Sequence, residues 1–283
     1  MAEQGDFVTD YDESFVAMAA LGWHAEAVPW RDETIVWDDY AAVYICTPWD
    51  YPQHAEQFMR VLEAIERSSA TLVNELALVR WTLAKTYLRD LEERGAAIVP
   101  SIWFDDIDVT RIPQWFETFA SDTLVIKPDI GGNAVDTFVL ERPLSADSED
   151  LLLRTFTKRP FLVQPFISNI RSEGEFSLFF FGGEYSHAIQ KIPKSGDFRV
   201  QEEHGADIQS VQPPTGLLDT ARQVLALVDP QPVYVRADFV RDDHDRYLLM
   251  ELELIEPSLY LRTDAGAAAR FAAAFDHYVK EVS

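Results

Sequence analysis

The chain has 283 residues, of which 47% are hydrophobic and 12% aromatic; this length allows two domains, and this composition can fill a core, which excludes a disordered chain. The chain has 24 Lys and Arg residues and 48 Asp and Glu residues, which gives a net charge of −24. Such a surface excludes nucleic acid and anionic membranes as partners, because binding to phosphate surfaces needs a basic footprint.

The sequence lacks features that would place the chain in a membrane or outside the cell. No stretch approaches the roughly 18 apolar residues of a membrane-spanning helix. The start Met-Ala-Glu-Gln-Gly-Asp is acidic and lacks the apolar segment of a secretory signal. The single cysteine, Cys46, ends an apolar run, which predicts a buried, reduced thiol. We therefore expect a cytoplasmic protein.

The first elements alternate between helix and strand. Apolar spacing and turn residues predict a helix over 14–21, a strand over 25–29, a strand over 41–47 and a helix over 53–67. The run 41–47 is continuously apolar, which is typical of a buried parallel strand. Alternation of this kind indicates an α/β domain with a parallel sheet, and we place it at about 1–73.

The rest of the chain is mostly strand. After a helix over 83–94 that ends at Gly95, we predict strands over 123–128, 135–140, 161–167, 175–181, 185–192, 233–240 and 247–254. Tight turns such as Gly182-Gly183 join several of them. Two helices complete the pattern, at about 216–228 and 264–281. Residues 74–283 are therefore expected to form an α+β region with antiparallel sheets.

Lysine is scarce, and one lysine ends an apolar strand. Lys127 follows Leu124-Val125-Ile126, where a charged side chain needs a strong partner, and the loop Gly131-Gly132-Asn133 comes next. A strand, a lysine and a glycine loop can cradle phosphates, because glycine lets backbone N–H groups approach the phosphate oxygens. A strand-end lysine that reaches water and a plain hairpin turn stay open as alternatives.

Acidic residues on the last two predicted strands can share one face. Residues two apart point the same way in a strand, so Asp238, Glu251 and Glu253 project together if the connecting loop has an even length. Desolvated carboxylates without matched cations repel one another, and oxygen-only ligands suit Mg²⁺. A solvated acidic face is the alternative, but leucines fill the opposite face of the second strand.

The order of these motifs resembles the ATP-grasp ligases over about residues 8–275. The motifs are Lys85, Lys127, the glycine loop, Gln164-Pro165-Phe166-Ile167, Gly196-Asp197-Phe198-Arg199, Asp238 and Glu251-Leu252-Glu253. The Gln-Pro-Phe-Ile segment and the Gly-Asp-Phe-Arg loop are similar to the glutathione synthetase and glutamate-ligase branch. Trp49-Asp50-Tyr51, 74–85 and 251–259 are similar to the D-cycloserine-forming cyclo-ligase group.

The resemblance implies a fold, cofactors and residue roles. It implies a pre-ATP-grasp domain over 1–73, then an ATP-grasp domain over 74–283 with a small lobe at about 96–165 and a C-terminal lobe at about 166–283. ATP would contact Lys85, Lys127, Gly131, Gly132, Asn133, Gln164, Phe166, Ile167, Glu175 and Lys191. Arg199 and Arg236 would hold the transferred phosphoryl group or the substrate carboxylate. Mg²⁺ or Mn²⁺ would be held by Asp238, Glu251 and Glu253.

The sequence departs from the cyclo-ligase pattern on the substrate side. That group has Arg-Ser-x-Trp-Asp-Tyr where this chain has Cys46-Thr47-Pro48 before Trp49, and its opening strand is reduced here to Asp6–Thr9. Most ATP-grasp members have Asn at the position of Glu253, although a carboxylate also suits a hard cation. Candidates for substrate contacts are Trp49, Asp50, Glu256, Ser258 and Tyr260, with packing and turn roles as the alternative. His187 and His204 are further acid–base candidates, against ordinary packed or solvated histidines.

The function implied by the resemblance is an ATP- and Mg-dependent carboxylate–amine ligase. ATP would convert a carboxylate to an acyl phosphate, from which an amine of a small amino-acid-like substrate displaces phosphate, and the protein would contribute positioning and charge neutralisation. An intramolecular cyclo-ligase and a non-catalytic nucleotide-binding module stay open, and the retained lysines, arginines and acids favour a ligase. A protein that binds a sugar or acid without a nucleotide would leave the acidic residues unexplained. A homodimer is the default expectation for the assembly.

Overall fold

The computed structural model describes residues 8–282 and contains three sheets. The strands are β1 (Ala42–Tyr44), β2 (Thr71–Val73), β3 (Ile102–Phe104), β4 (Thr123–Pro128), β5 (Phe138–Glu141), β6 (Phe161–Pro165), β7 (Glu175–Phe181), β8 (Glu184–Ile192), β9 (Asp207–Ser210), β10 (Tyr234–Arg241) and β11 (Tyr247–Glu253). The helices are α1 (Tyr11–Ala20), α2 (Ala55–Arg67), α3 (Leu76–Thr82), α4 (Tyr87–Glu93), α5 (Ile112–Phe119), α6 (Ala146–Phe156), α7 (Asn169–Ser172), α8 (Thr215–Leu225) and α9 (Ala267–Val282).

The sheets match the predicted mixture of parallel and antiparallel pairing. β1 and β2 form a parallel pair, followed by a four-stranded antiparallel sheet in the order β3-β6-β4-β5. The largest sheet is antiparallel, in the order β11-β10-β7-β8-β9. The predicted fold class is therefore confirmed, whereas the division into domains at residue 73 stays a prediction. No helix within residues 8–282 has the length and apolar character needed to cross a bilayer.

One predicted strand in the N-terminal region is wrong. Residues 25–29 are not hydrogen-bonded into a sheet, and β1 pairs only with β2 within the described part of the chain. Residues 25–28 and 41–48 instead border a cavity of about 400 Å³ lined largely by aromatic and aliphatic side chains. A strand needs a neighbour for its backbone N–H and C=O groups, and this segment faces the cavity. Of the shortened opening strand, Asp6 and Phe7 lie outside the described residues, and Val8 and Thr9 are not in a strand.

Cys46 has a free thiol, but this residue is not fully buried as predicted. It is half-buried, and burial, reinforced by the nearby Asp10 carboxylate, raises its pKa to about 12. Because the thiolate is the reactive form, native Cys46 should react with iodoacetamide at pH 8 about 10³-fold more slowly than an ordinary thiol. Mass spectrometry of the alkylated protein with time measures this rate, and the same protein in guanidinium chloride is the control. Equal rates in the two conditions would contradict the burial of the thiol.

The five-stranded sheet is covered on both faces, which explains why β7 is entirely buried. Leu178 and Phe180 pack with α4 and α8 on one face, whereas Phe179 and Phe181 pack with α9 on the other. Glu175 and Ser177 share the second face by strand periodicity. Helix α9 therefore covers one end of this face, and the other end presents polar side chains.

Asn74 attaches the parallel pair to the largest sheet. It follows β2 and is 1% exposed. Its side-chain amide donates to the carbonyl oxygens of Tyr234 and Leu254 at 2.9 Å each, and its side-chain oxygen accepts from the backbone N–H of Val233. The Tyr234 hydroxyl lies 3.2 Å from the carbonyl oxygen of Val73. These bonds fix the N-terminal region against β10 and the end of β11.

Candidate active site

A cavity of about 170 Å³ is lined by residues of both antiparallel sheets. The predicted site residues on its wall are Trp49, Lys85, Lys127, Gly131, Gly132, Asn133, Gln164, Phe166, Ile167, Glu175, Lys191, Arg199, Arg236, Asp238, Glu251, Glu253, Ser258 and Tyr260. The predicted residues Asp50 and Glu256, and the further acid–base candidates His187 and His204, do not line it. Motifs spread from residue 49 to residue 260 are thus brought together by the fold.

The predicted shared face of the acidic residues is confirmed by the strand register. In β10 and β11, Arg236 lies opposite Glu253 and Asp238 lies opposite Glu251, ahead of a bulge at Asp238/Phe239. The expectation that these carboxylates lack matched cations is wrong, because basic side chains from neighbouring elements reach each of them. The pairs are Lys85 with Glu251 at 2.9 Å, Arg236 with Asp238 at 3.0 Å, Arg236 with Glu253, and Lys191 with Asp238 at 3.7 Å.

The pKa values of the three carboxylates shift in different directions because their partners differ. Burial raises the pKa of Asp238, but Arg236 and Lys191 outweigh it and hold that pKa below the usual range. For Glu251, the attraction of Lys85 likewise outweighs burial and holds the pKa of this carboxyl below its usual range. For Glu253, burial prevails over the attraction of Arg236 and raises the pKa to about 7.

Lys127 is the lysine of the cavity wall that has no carboxylate oxygen within 4.0 Å among residues 8–282. Burial lowers its pKa, against the attraction of Glu251 and with the repulsion of Lys85. Lys85 lies between α3 and α4, in the first four residues of the predicted helix over 83–94, which begins only at Tyr87. Its ammonium donates to the carbonyl oxygen of Gly131 at 2.8 Å. Two lysines therefore border the glycine loop, and one of them has positive charge left for an anion.

The glycine loop requires glycine at its first position. A Cβ atom on Gly131 would lie 2.8 Å from Cγ of Pro128. Asn133 and Ala134 follow with φ of 52° and 54°, in the left-handed region. The loop therefore turns sharply beside Lys127, and Gly132 is exposed on the cavity wall.

The predicted adenine segment forms an apolar part of the wall. Phe166 and Ile167 pack with Val200 and Phe198, and the rings of Phe166 and Phe198 are 6.4 Å apart. The Gln164 amide is held by the Ser101 hydroxyl at 2.8 Å. Such a surface suits a flat heterocycle whose polar edge meets backbone groups.

The two predicted arginines differ in their surroundings. Arg199 makes a two-point ion pair with Asp197 in an irregular loop, where its side chain is 41% exposed. Arg236 is buried, and its guanidinium also donates to the carbonyl oxygen of Ser258 at 3.3 Å. Arg199 can leave its partner at little cost, whereas Arg236 is fixed.

Several predicted residues have structural contacts. Asp50 accepts from the indole N–H of Trp30 at 2.8 Å and pairs with Arg31 at 3.1 Å, so it shapes its own loop. His187 is stacked on Phe179 at 4.2 Å outside the cavity wall, and burial lowers its pKa to about 4. It is therefore a neutral, packed histidine. His204 lies in a 3₁₀ turn, also off the wall.

The sequence reasoning did not single out two residues on the wall, Gln201 and Glu203. They follow the Gly-Asp-Phe-Arg loop, and that position is the signal that could have found them. Oε1 of Gln201 is buried without a hydrogen-bond donor within residues 8–282. A ligand with an N–H or O–H group could supply that donor.

The carboxylates suit a hard cation in chemistry but are not preassembled around one. No three acidic, histidine or cysteine side chains in the described part of the chain form a ready metal-binding group. The side chains of Glu251 and Glu253 are 29% and 28% exposed, whereas that of Asp238 is 3% exposed. Oxygen-only donors fit Mg²⁺, which is commonly held by one or two carboxylates together with phosphate oxygens.

Comparison with known proteins finds a synthetase that is similar over nearly the whole chain. A family model described as the N-terminal domain of the D-cycloserine synthetase DcsG matches residues 1–74. The cycloserine biosynthesis protein DcsG of Streptomyces lavendulae is 28% identical over 288 residues, which cover 96% of this chain and 95% of that protein. The crystal structure of D-cycloserine synthetase DcsG matches with a TM-score of 0.86 and 27% identity, over 96% of this chain and 95% of that one.

A more distant structure supports the fold. The ATP-grasp ligase PsnB, in a complex with a variant of its minimal precursor, Mg and ADP, matches with a TM-score of 0.65 and 15% identity, over 95% of this chain and 94% of that one. At this level of identity, the match shows that the two proteins share a fold.

Proposed function

We propose that this chain, a homologue of the D-cycloserine synthetase DcsG with the fold of the ATP-grasp ligases, is an ATP-dependent ligase that joins a carboxylate to an amine. The enzyme forms a carbon–nitrogen bond, as the sequence resemblance implied. The observation that carries the assignment of the site is the position of Lys127. This half-buried cation has no acidic partner within 4.0 Å in residues 8–282 and lies beside the glycine loop.

The residues of the cavity divide the reaction between them. ATP supplies the phosphoryl group that activates the substrate carboxylate as an acyl phosphate, and Mg²⁺ neutralises phosphate charge. Lys127, Lys85 and Lys191 bind phosphate oxygens, and the wall formed by Phe166 and Ile167 holds the base. Arg236 stabilises charge on the transferred group, since a buried guanidinium is already oriented. The amine then displaces phosphate, and positioning rather than covalent catalysis provides the rate.

The ion pairs of the cavity couple the two cofactors. Bound phosphates compete for the cations, and bound Mg²⁺ competes for Glu251, Glu253 and Asp238. If ATP binds without Mg²⁺, the phosphates attract the cations and leave the carboxylates less well neutralised. If Mg²⁺ binds without ATP, the metal ion attracts the carboxylates and leaves the cations less well neutralised. An unpaired buried charge costs several kcal/mol. We therefore expect ATP and Mg²⁺ to bind together far more tightly than either binds alone.

A melting experiment tests this coupling. Saturating ATP with Mg²⁺ should raise Tm by roughly 5–10 °C, whereas ATP with EDTA, or Mg²⁺ alone, should give a small fraction of that shift. Asp238→Asn and Glu251→Gln should remove the Mg-dependent part. Asp243→Asn, in an exposed turn, is the charge-matched control. Equal stabilisation by ATP with and without Mg²⁺, in all four proteins, contradicts the assigned metal ligands.

A screen of acids, followed by measurement of the product mass, identifies the substrates and the kind of bond formation. Small amino and hydroxamic acids can be screened with Mg²⁺ and ATP for substrate-dependent ADP release. Joining two molecules gives a product that weighs their sum less water, and ring closure within one molecule gives its own mass less water. Failure of every acid to release ADP, with intact ATP binding, would favour the non-catalytic module. The cytoplasmic location and the homodimeric assembly stay predictions.

A further inference from the structure

A second cavity lies in the N-terminal region, apart from the candidate active site. It is the space of about 400 Å³ that residues 25–28 and 41–48 border, and we call it the N-terminal cavity. It shares no lining residue of the described chain with the active-site cavity. Nine aromatic side chains contribute to its wall, from Tyr11 in α1 to Phe275 in α9. Small-molecule sites typically enclose about 300–1,000 Å³ and are lined mainly by apolar and aromatic groups, so this cavity has the size and the lining of a ligand site.

The inner wall of the N-terminal cavity is apolar and uncharged. Met18, Phe58, Leu62 and Ile65 line it and are only 1–2% exposed. The Cys46 thiol on the same wall is neutral, because burial raises its pKa to about 12. Apolar side chains that face a void lose packing contacts, and apolar cavities of about 150 Å³ already bind benzene in other proteins. An apolar group that enters this cavity would therefore gain contacts on all sides.

The mouth of the N-terminal cavity is acidic. Glu26 and Asp39 line it and are exposed, and neither carboxylate forms an ion pair with another side chain of residues 8–282. No Lys or Arg side chain of the described chain contributes to the wall, and its one histidine, His24, is exposed. The nearby Arg31 is paired with Asp50 instead, at 3.1 Å. The charge at the mouth therefore favours a cation and repels an anion.

Aromatic faces reinforce that preference. The hydroxyl of Tyr40 donates to the Glu26 carboxylate at 2.7 Å, and the ring of Trp37 lies 6.1 Å from the ring of Tyr40. All three residues line the cavity. The face of an aromatic ring attracts an ammonium group through its quadrupole, so a carboxylate and two rings offer favourable contacts to the same charge.

An apolar interior behind an acidic and aromatic mouth suits a molecule with two unlike ends. We propose that the N-terminal cavity binds a small organic cation, an amine with an aromatic or aliphatic body. The body lies against Phe58 and Leu62, and the ammonium group pairs with Glu26 beside the rings of Trp37 and Tyr40. A carboxylate of the same shape would meet the same apolar wall but would be repelled by Glu26 and Asp39. The proposed ligase function does not enter this argument, because the two cavities have separate walls.

Probes of similar shape and different charge test the proposal. Phenethylammonium has a ring and an ammonium, 3-phenylpropanoate carries a carboxylate in place of the ammonium, and ethylammonium lacks the ring. Each is titrated into the full chain at pH 8, where an ordinary imidazole is neutral. None of the probes contains an indole, so the fluorescence of Trp23, Trp30 and Trp37 on the wall reports binding, and calorimetry gives the affinity. Phenethylammonium should bind at least about 10-fold more tightly than either of the other two probes.

Three variants assign the binding to this cavity. Glu26→Gln removes a carboxylate from the mouth and should weaken the binding of phenethylammonium about 5- to 10-fold, with little change in the affinity for 3-phenylpropanoate. Glu33→Gln removes one exposed charge that does not line the cavity and is the charge-matched control with wild-type affinities. Val61→Phe adds a ring to a half-buried position of α2 on the wall and should abolish the binding of both phenyl probes. The melting shift caused by Mg²⁺ and AMPPNP should be the same in all these proteins.

Several results would overturn the proposal. They are equal affinity of the wild type for phenethylammonium and 3-phenylpropanoate, an unchanged ratio of these affinities in Glu26→Gln, and an equal loss in Glu33→Gln, which would assign the preference to the overall charge. Wild-type binding of phenethylammonium to folded Val61→Phe would place the amine elsewhere and overturn it as well. If Val61→Phe does not fold, the comparison of Glu26→Gln with Glu33→Gln decides, because both changes lie at exposed positions.

Discussion

Replacing Lys127 by alanine is expected to lower substrate-dependent ADP release by about 10²- to 10³-fold, the loss typical of a single preorganised charge at a reacting group. Lys127 is half-buried at the cavity wall, and its ammonium has no carboxylate within 4.0 Å in residues 8–282. Its charge is therefore available to phosphate without first breaking an ion pair. A coupled assay of ADP, with an acid found in the substrate screen, measures the rate.

The melting temperature shows whether the Lys127→Ala protein is folded. Burial lowers the pKa of this lysine, which means that its charge opposes folding, so the variant should be at least as stable as the wild type without nucleotide. The stabilisation by Mg²⁺ and ATP should fall together with the rate. Lys280→Ala, an exposed lysine on α9 that pairs with Asp276, should behave as the wild type. Unchanged turnover of Lys127→Ala would remove Lys127 from the phosphate site.

Replacing Asn74 by alanine is expected to lower the free energy of unfolding by about 3–5 kcal/mol, or Tm by roughly 10 °C. The change leaves the carbonyl oxygens of Tyr234 and Leu254 and the N–H of Val233 without their partner. These groups are buried, and an unsatisfied buried polar group costs about 1–3 kcal/mol. Thermal and urea unfolding measure the loss.

Two further variants identify the cause of that loss. Asn74→Asp keeps an acceptor for Val233 but loses both donated bonds, so it should be destabilised as well. Asn169→Ala removes side-chain bonds to the carbonyl oxygens of Arg241 and Asp242 at a half-buried site, and should cost about 1 kcal/mol. If Asn74→Ala loses no more than Asn169→Ala, the bonds of Asn74 do not hold the N-terminal region to β10.

Most long elements of the fold could be predicted because each contains its own periodic signal, but the helices α5 and α6, of eight and 11 residues, were missed. The bounds of β7 were predicted correctly at 175–181, and alternation in β10 and β11 placed Asp238 on the same face as Glu251. Short elements carry too few residues for a period to appear. β3 and β9, with three and four residues, therefore went unpredicted, and Ala25–Pro29 has strand character but no strand to pair with.

The candidate site shows the same division between local and long-range information. The residue types and their order pointed to the cavity, which collects the predicted residues apart from Asp50, Glu256 and the two candidate histidines. The ion pairs were not predictable, because Lys85 reaches Glu251 only through the break between α3 and α4 and the packing of distant segments. Local patterns identify which groups are present, and tertiary packing decides which charges neutralise each other.

One ammonium group joins the two antiparallel sheets at the cavity. Nζ of Lys85 lies 2.8 Å from the carbonyl oxygen of Gly131 and 2.9 Å from Oε1 of Glu251. An ammonium has three protons; within residues 8–282 two of them are engaged, which leaves the third for a phosphate oxygen. Lys85 can thus make a first contact with a nucleotide before its ion pair with Glu251 weakens. Binding of ATP to Lys85 would then affect both the glycine loop and the acidic strand β11, because this one side chain contacts both.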